Sequence, residues 1–268
     1  MRSQVAVPVV CAVLGGGVTA GGLLLTGTVA PPSTRTVIQQ GPLLAANPIG
    51  GTAAGDVYQR DAAGVVAVRA QTVAAPPTAF DAGAGDGGTV TGSALVVDGD
   101  GHLLTAAHLV RAAANVQVDC GGRRASAAVV ALDPQSDLAV LHVRSAGLGL
   151  APLPLGDSDA VRVGDPAIAL GREPGAAPAL STGTVAARQA SLEAAGGGRL
   201  DDVLQIDADL GPADVGGPLL DAEGRVIGVN TMMRTAEGGA PVHLAVPANT
   251  ARRVLGRLAD PAQKVVGG

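Results

Sequence analysis

The chain has 268 residues, a formal charge of -5, one Tyr, one Phe and no Trp. That length allows a short targeting segment plus one domain of about 200 residues, or two small domains, and the acidic balance without any basic run excludes a general nucleic-acid binder. A core almost without aromatics must be built from Val, Leu, Ile and Ala, which suits β-strands, and 40 Gly and 18 Pro imply frequent turns.

The first element is apolar. Residues 5–30, behind "MRSQ", carry no charge. A stretch of that length can cross a hydrocarbon core, which needs about 20 residues. It exceeds the apolar region of an ordinary signal peptide, roughly 7 to 15 residues. The pattern predicts an uncleaved signal anchor over residues 1–31, with Arg2 on the cytoplasmic side and the rest of the chain outside the cell membrane. A cleaved signal ending before Pro31 is the alternative reading. Residues 32–54, rich in Pro, Gly, Ala and Thr without periodicity, are predicted to be a flexible linker. Cys11 falls in the apolar segment and Cys120 in "VQVDCGG", so no intrachain disulfide is expected.

A short amphipathic turn, "GDVYQRDAA", then leads into a first strand, "GVVAVRA". From residue 93 onward, short apolar runs alternate with turn residues: "SALVV", "HLLTAA", "VQVDC", "ASAAVVAL", "LAVLHV", "PAIAL", "GTVAAR", "VLQID", "RVIGVNT" and "HLAV". Ten to twelve strands at this spacing predict an all-β sandwich or barrel pair. "DGDGH" (98–102) reads as a hairpin turn, since it lacks the later acidic ligands of a calcium loop. "PANTARRVLGRLAD" reads as a C-terminal helix over about 248–259, with Asn249 and Thr250 as cap candidates and Val254, Leu255 and Leu258 at helical spacing.

Three stretches carry chemistry. "LLTAAHLV" puts His108 just after an apolar strand, "DPQSDLAVLHV" puts Asp137 at the start of another, and "GPADVGGPLL" puts Val215 where a Gly-x-Ser-Gly-Gly-Pro loop would carry its serine. His, Asp, nucleophile is the chain order of the chymotrypsin-like fold and of neither subtilisin nor the α/β-hydrolases. The spacing fits two consecutive barrels, the first supplying His and Asp and the second the nucleophile position.

From about residue 55 to 258 the chain resembles the HtrA (Do/Deg) family of extracytoplasmic serine proteases. The resemblance rests on "TGSALVVDGDGHLLTAAHLV", "VVALDPQSDLAVLHV", "PLPLGDSDAVRVGDPAIALG", "STGTVAAR", "LQIDADLGPADVGGPLLDAEGRVIGVNT" and "HLAVPANTARRVL", which run in family order. It implies two six-stranded chymotrypsin-like β-barrels within residues 55–268: barrel one over about 55–146 and barrel two over about 147–247. It also implies extended polypeptide as partner, and association with itself or with active relatives. The family usually adds a PDZ domain, and none is expected in these 268 residues.

The departures shape the expected function. Where the family reads Asn-Pro-Gly-Asn-Ser-Gly-Gly-Pro, this chain reads Gly211-Pro212-Ala213-Asp214-Val215-Gly216-Gly217-Pro218. In an intact triad the serine attacks, the histidine takes its proton and the aspartate fixes the imidazole tautomer. Val215 has no lone pair and no proton. Loss of the serine alone costs roughly a millionfold in turnover in a subtilisin-type triad. Ala213 replaces the glycine that the resemblance assigns to an oxyanion-hole N–H, in a turn whose backbone angles cost alanine energy, and Asp214 places a carboxylate where the family has an amide. The oxyanion-hole position is thus Ala213, Asp214 and Val215, beside a remnant pair His108 and Asp137. His243, on the strand that the resemblance places at the specificity pocket, and Thr231 are the candidate binding residues. His102 and His142 have no metal-type partners, and neither a metal nor a cofactor is expected. The reading is a membrane-tethered protease homologue that binds without cutting; the alternative is a weak serine-type hydrolase.

Overall fold

The computed structural model describes residues 51–73, 80, 88–193, 199–234 and 241–258. The expected anchor and most of the expected linker lie outside the described residues. Among those described, no helix is long and apolar enough to cross a membrane.

A helix α1 (Gly51–Asp61) precedes six strands: β1 (Val65–Thr72), β2 (Gly88–Val96), β3 (His102–Ala106), β4 (Ala113–Cys120), β5 (Arg123–Asp133) and β6 (Leu138–Val143), with the one-turn helix α2 (Ala107–Val110) after β3. Six more follow: β7 (Pro166–Gly171), β8 (Ala179–Glu193), β9 (Arg199–Asp207), β10 (Pro218–Leu220), β11 (Val226–Met233) and β12 (Val242–Pro247). Helix α3 (Ala248–Leu258) ends the described chain. Each set closes into a barrel. The first runs β1-β2-β3-β6-β5-β4 and the second, read from β7, runs β7-β8-β9-β12-β11-β10, the same path. Closure leaves no strand edge to aggregate.

The apolar runs of β1, β2, β3 and β6 are continuous because both faces of these strands are buried there. Val66, Val68, Ala94, Val96, Leu103, Ala139 and Leu141 share one cluster, while Val65, Leu95, Leu104, Leu138 and Val140, their neighbours in sequence, join another with Leu170, Leu220, Val229 and Val246 of the second barrel. Alternation along these four strands therefore sends residues to two different cores. A third cluster around Ala169, Leu204, Leu219 and Ala245 belongs to the second barrel alone. Each buried Val or Leu contributes about 1.5–3 kcal/mol, so a core without large aromatics is built from many medium-sized side chains.

The linker boundary moves. Its last four expected residues are the start of α1, whose Ala54 and Val57 join the shared core. Tyr58 donates its hydroxyl proton to the Pro178 carbonyl at 2.9 Å and Arg60 donates to the Glu223 carbonyl at 2.7 Å. Tertiary fastening, and not the helix propensity of a Gly- and Thr-containing start, holds these turns. The cap of α3 also differs from expectation. The helix begins at Ala248, and the Asn249 N–H is met by Ser158 Oγ at 3.1 Å from a distant loop. The 98–102 stretch is a turn in which Asp98 Oδ1 accepts from the N–H groups of Asp100, Gly101 and His102. Cys120, at the end of β4, is a free thiol.

Candidate active site

Register brings the first two residues together. β3 pairs antiparallel with β6, and the last pair is Ala106 with Leu138. The residues just beyond, His108 on α2 and Asp137 before β6, must therefore be neighbours, and the Ala107 N–H donates to the Asp137 carbonyl at 3.0 Å. Asp137 is buried and holds a left-handed backbone (φ 51) that turns its side chain back toward α2.

Its carboxylate is saturated. His108 N–H donates to Oδ1 at 2.9 Å, the His108 Nδ1 lies 2.9 Å from Oδ2 and 3.1 Å from Oδ1, and Thr231 Oγ1 donates to Oδ2 at 2.8 Å. A carboxylate can only accept, so Nδ1 carries a proton. Phe80 stacks on the imidazole at 5.6 Å between ring centres. Thr231, read from sequence as a binding residue, is buried on β11 and its hydroxyl is committed to Asp137. The structure thus places it as the third member of the His108–Asp137 network, carried across from the other barrel.

The loop from Gly211 to Gly217 is built differently. Pro212–Asp214 form a 3-10 turn in which the Asp214 N–H donates to the Gly211 carbonyl at 3.0 Å. The Asp214 carboxylate closes the turn by accepting from the Gly211 N–H at 2.8 Å. The expectation that Ala213 would be strained is not met: it sits inside this right-handed turn, and the described non-glycine residues with positive φ are Asp137 and Asp202 only. An alanine suits such a turn, so the loop avoids the conformation that would require glycine.

Barrel one grips the loop. Ser93 Oγ donates to the Ala213 carbonyl at 2.6 Å and accepts from the Arg172 N–H at 2.7 Å, and the Ser93 N–H donates to the Val215 carbonyl at 2.8 Å. Thr105 Oγ1 holds the Ser93 carbonyl at 2.6 Å. Gly216 needs its positive φ of 81, and a Cβ there would run into the Ser93 carbonyl and the Thr105 hydroxyl. Val215 is 4% exposed and packs in the barrel-one cluster with Leu109 and Ala107. The side chain at position 215 is part of a core.

Asp214 is the loop's unsettled group. It is buried, its Oδ1 has no hydrogen-bond partner, and it lies against Gly171, where any Cβ would collide with it. Burial pushes its carboxyl above the ordinary carboxylate range. The Gly211 N–H works against that shift, Asp209 adds repulsion and His243 offsets part of it. The other sequence candidates lie apart from this chemistry. His102 bonds Asp98 at 2.7 Å and faces His142 across the β3–β6 pair, and the described residues contain no group of three or more side chains placed to hold a metal. Ser93, Thr105 and Gly171 were not singled out from sequence. A serine inside the apolar run "SALVV" was the available signal.

Residues 92–229, which include His108, Asp137 and the loop, match the family model described as the trypsin-like peptidase domain. The chain belongs to the trypsin-like peptidase family. Within it, the chain groups with HtrA-type members. It is 36% identical over 172 residues to a probable periplasmic serine endoprotease, DegP-like, of Chlamydia pneumoniae, covering 63% of this chain and 34% of that one. It is 36% identical over 180 residues to the chloroplastic Protease Do-like 5 of Arabidopsis thaliana, covering 62% of this chain and 56% of that one. The chain thus spans a third to a little over half of these relatives. Among solved structures, the HtrA-type protease AlgW with tripeptide aligns with TM-score 0.64 and 28% identity, over 78% of this chain and 64% of that one. The crystal structure of Deg5 aligns with TM-score 0.60 and 29% identity, over 77% and 93%.

Proposed function

We propose that this trypsin-like domain is a non-hydrolysing HtrA-type homologue that binds extended polypeptide. The observation that carries the proposal is Val215: the expected nucleophile position holds an apolar side chain buried in the barrel-one core cluster, in a loop held by the Ser93 hydroxyl on the Ala213 carbonyl and by the Asp214 carboxylate on the Gly211 N–H. The barrels that form the family's cleft are complete, and a bound strand is held by main-chain hydrogen bonds that need no hydroxyl. An HtrA-type relative was solved with a tripeptide, which supports a polypeptide as the ligand class.

The setting belongs to the same proposal. Relatives named periplasmic or chloroplastic support a domain held outside the cytoplasm. The uncharged residues 5–30 supply the tether, and the domain associates with itself or with active relatives. Fractionation tests this part: the protein should stay with membranes after carbonate washing, and a soluble form starting near Pro31 would overturn the anchor.

Incubation of the purified protein with casein and, separately, with a fluorophosphonate probe tests the central claim. No fragments and no labelled band are expected. The intact His108–Asp137 pair favours one other reading, a weak hydrolase, and cleavage abolished by His108→Ala would establish it.

A further inference from the structure

β3 and β6 hold His108 and Asp137 at one end of their ladder, just past the pair Ala106–Leu138, and the pair at the other end is His102–His142. The two ends lie about 14 Å apart at the usual rise of an antiparallel strand. On the next rung the Val143 N–H donates to the Gly101 carbonyl at 3.0 Å. Antiparallel rungs alternate, so His102 and His142 form the non-hydrogen-bonded kind, in which facing side chains come closest. Their imidazoles stand 5.1 Å apart between ring centres, tilted by 53°, and both residues are partly exposed. They lie far apart in sequence and meet only through this register.

One ring is already oriented. His102 Nδ1 lies 2.7 Å from Asp98 Oδ2. A carboxylate accepts, so Nδ1 carries a proton, and in the neutral ring the lone pair is on Nε2. Asp98 is itself fixed, since its Oδ1 accepts from the N–H groups of Asp100, Gly101 and His102. A carboxylate on one imidazole nitrogen is the arrangement that prepares the other nitrogen for a metal. The His142 imidazole has no hydrogen bond or ion pair among the described residues, so its nitrogens are uncommitted. The remaining histidines are engaged elsewhere, His108 with Asp137 and His243 with the Ala208 carbonyl. An ion bound at about 2.0–2.1 Å to one nitrogen of each ring sits about 3.2 Å from each ring centre. Centres 5.1 Å apart then subtend about 105° at the ion, close to the tetrahedral angle.

We infer that His102 and His142 bind a divalent transition-metal ion of the imidazole-seeking class, Zn²⁺ or Cu²⁺, as a two-histidine clamp across β3 and β6, with Asp98 as the positioning residue behind His102. Imidazole suits both ions, and affinity rises from Zn²⁺ to Cu²⁺. Mg²⁺ and Ca²⁺, which take oxygen ligands, do not fit. No third side chain among the described residues completes a cage, so water fills the other positions and the site is an open one. The ion ties together the two strands that carry His108 and Asp137, at the end away from them. The clamp is independent of whether the domain binds or cuts polypeptide.

Isothermal titration of the full-length protein with ZnCl₂ and, separately, CuCl₂ in a non-chelating buffer tests it. One ion per chain is expected, held more tightly as Cu²⁺, and MgCl₂ should give no binding heat. Asp98→Asn should lose about tenfold to a hundredfold in affinity, the cost of removing the carboxylate behind a metal-bound imidazole, and His102→Ala and His142→Ala should each lose about a hundredfold or more. Unchanged affinity in Asp98→Asn would remove its positioning role. Electron paramagnetic resonance of the Cu²⁺ form should show two nitrogen ligands in the wild type and one in His142→Ala. Excess Zn²⁺ should raise the Tm of the wild type and leave that of His142→Ala unmoved. Circular dichroism confirms that each variant is folded, and His142→Phe, which keeps a ring on the rung, carries the test if His142→Ala melts. Cys120→Ser should bind as the wild type does. No ion bound at millimolar concentration, wild-type affinity in the His142 variants, or binding lost in Cys120→Ser instead would overturn the inference.

Discussion

Two corners of one site have diverged. At the first, Asp137 holds a left-handed backbone and accepts from His108 N–H, His108 Nδ1 and Thr231 Oγ1, a polar network assembled from both barrels. At the second, the Gly211–Gly217 loop has turned inward: Val215 packs in a core, the Asp214 carboxylate closes the 3-10 turn, and Ser93 holds the Ala213 carbonyl. On the function proposed above, the difference means that the acid–base half of a triad can persist as structure. Asp137 satisfies the Ala107 and His108 N–H groups that start α2, so it has a folding role whether or not a nucleophile stands opposite. Position 215 has no such second role on that reading, and a valine there packs in the core.

The largest effect that can break this comparison is repair of the loop. Val215→Ser alone should yield no casein turnover above background, because the 3-10 turn still keeps Ala213 and Asp214 in their present bonds. Val215→Ser with Ala213→Gly and Asp214→Asn should exceed the single variant by about a hundredfold to a thousandfold, the value of one oxyanion-hole donor. Equal turnover in the two would mean that the loop is not the obstacle. No turnover in either would mean that the His108–Asp137 corner is structural only.

Next in size is Gly216→Ala. It combines a positive φ with a Cβ against the Ser93 carbonyl and the Thr105 hydroxyl. Left-handed backbone costs a non-glycine residue about 1–2 kcal/mol, and overpacking a similar amount again. A loss of about 3 kcal/mol in urea unfolding is expected. A loss below about 0.5 kcal/mol, the usual scale for an unconstrained surface site, would show that barrel one does not hold the loop.

Thr231→Val tests the other corner. The change is nearly isosteric and removes one donor from a buried carboxylate. A hydrogen bond to a charged group is worth roughly 1.5–3 kcal/mol, so a destabilisation of about 2 kcal/mol is expected. The same change made on top of His108→Ala should cost a different amount, since both residues donate to Asp137. Strict additivity would show that the three residues do not form one network.

How much of this was legible in the sequence differs between the same two corners. His108 and Asp137 stood in recognisable phrases at strand ends, because pairing of β3 with β6 makes a local pattern serve a long-range contact. Val215 was legible as a substitution in a motif. Thr231 was noticed, but its role was not, because nothing local to "GVNTMM" says that its hydroxyl crosses to the other barrel. The grip of Ser93 on Ala213 was invisible for the same reason, with 120 positions between donor and acceptor. The conformation of Ala213 was misjudged because the expectation took the active loop as its template, and a single residue type does not report the hand of the turn around it.

The smallest effect concerns Asp214, and its sign follows from burial. The carboxyl sits above its ordinary value of 3.8 in the folded protein, chiefly because burial penalises the charge and secondarily because Asp209 repels it, against the Gly211 N–H and His243. A carboxyl with a raised folded pKa binds its proton more tightly when folded than when unfolded. It therefore contributes stability below its unfolded pKa, and that contribution is lost as pH rises through the folded value. Above that window the charged Oδ1, buried without a partner, is a standing cost to the fold. Asp214→Asn keeps an acceptor for the Gly211 N–H and removes the charge. Its Tm should exceed that of the wild type at pH 7, and the advantage should disappear near pH 3, where the wild-type carboxyl is neutral as well. A gain at pH 7 that persists unchanged at pH 3 would trace the effect to packing against Gly171 and not to charge. A loss at pH 7 would mean that the carboxylate stabilises the closed turn more than its burial costs, and that the loop is held shut by Asp214 in its ionised form.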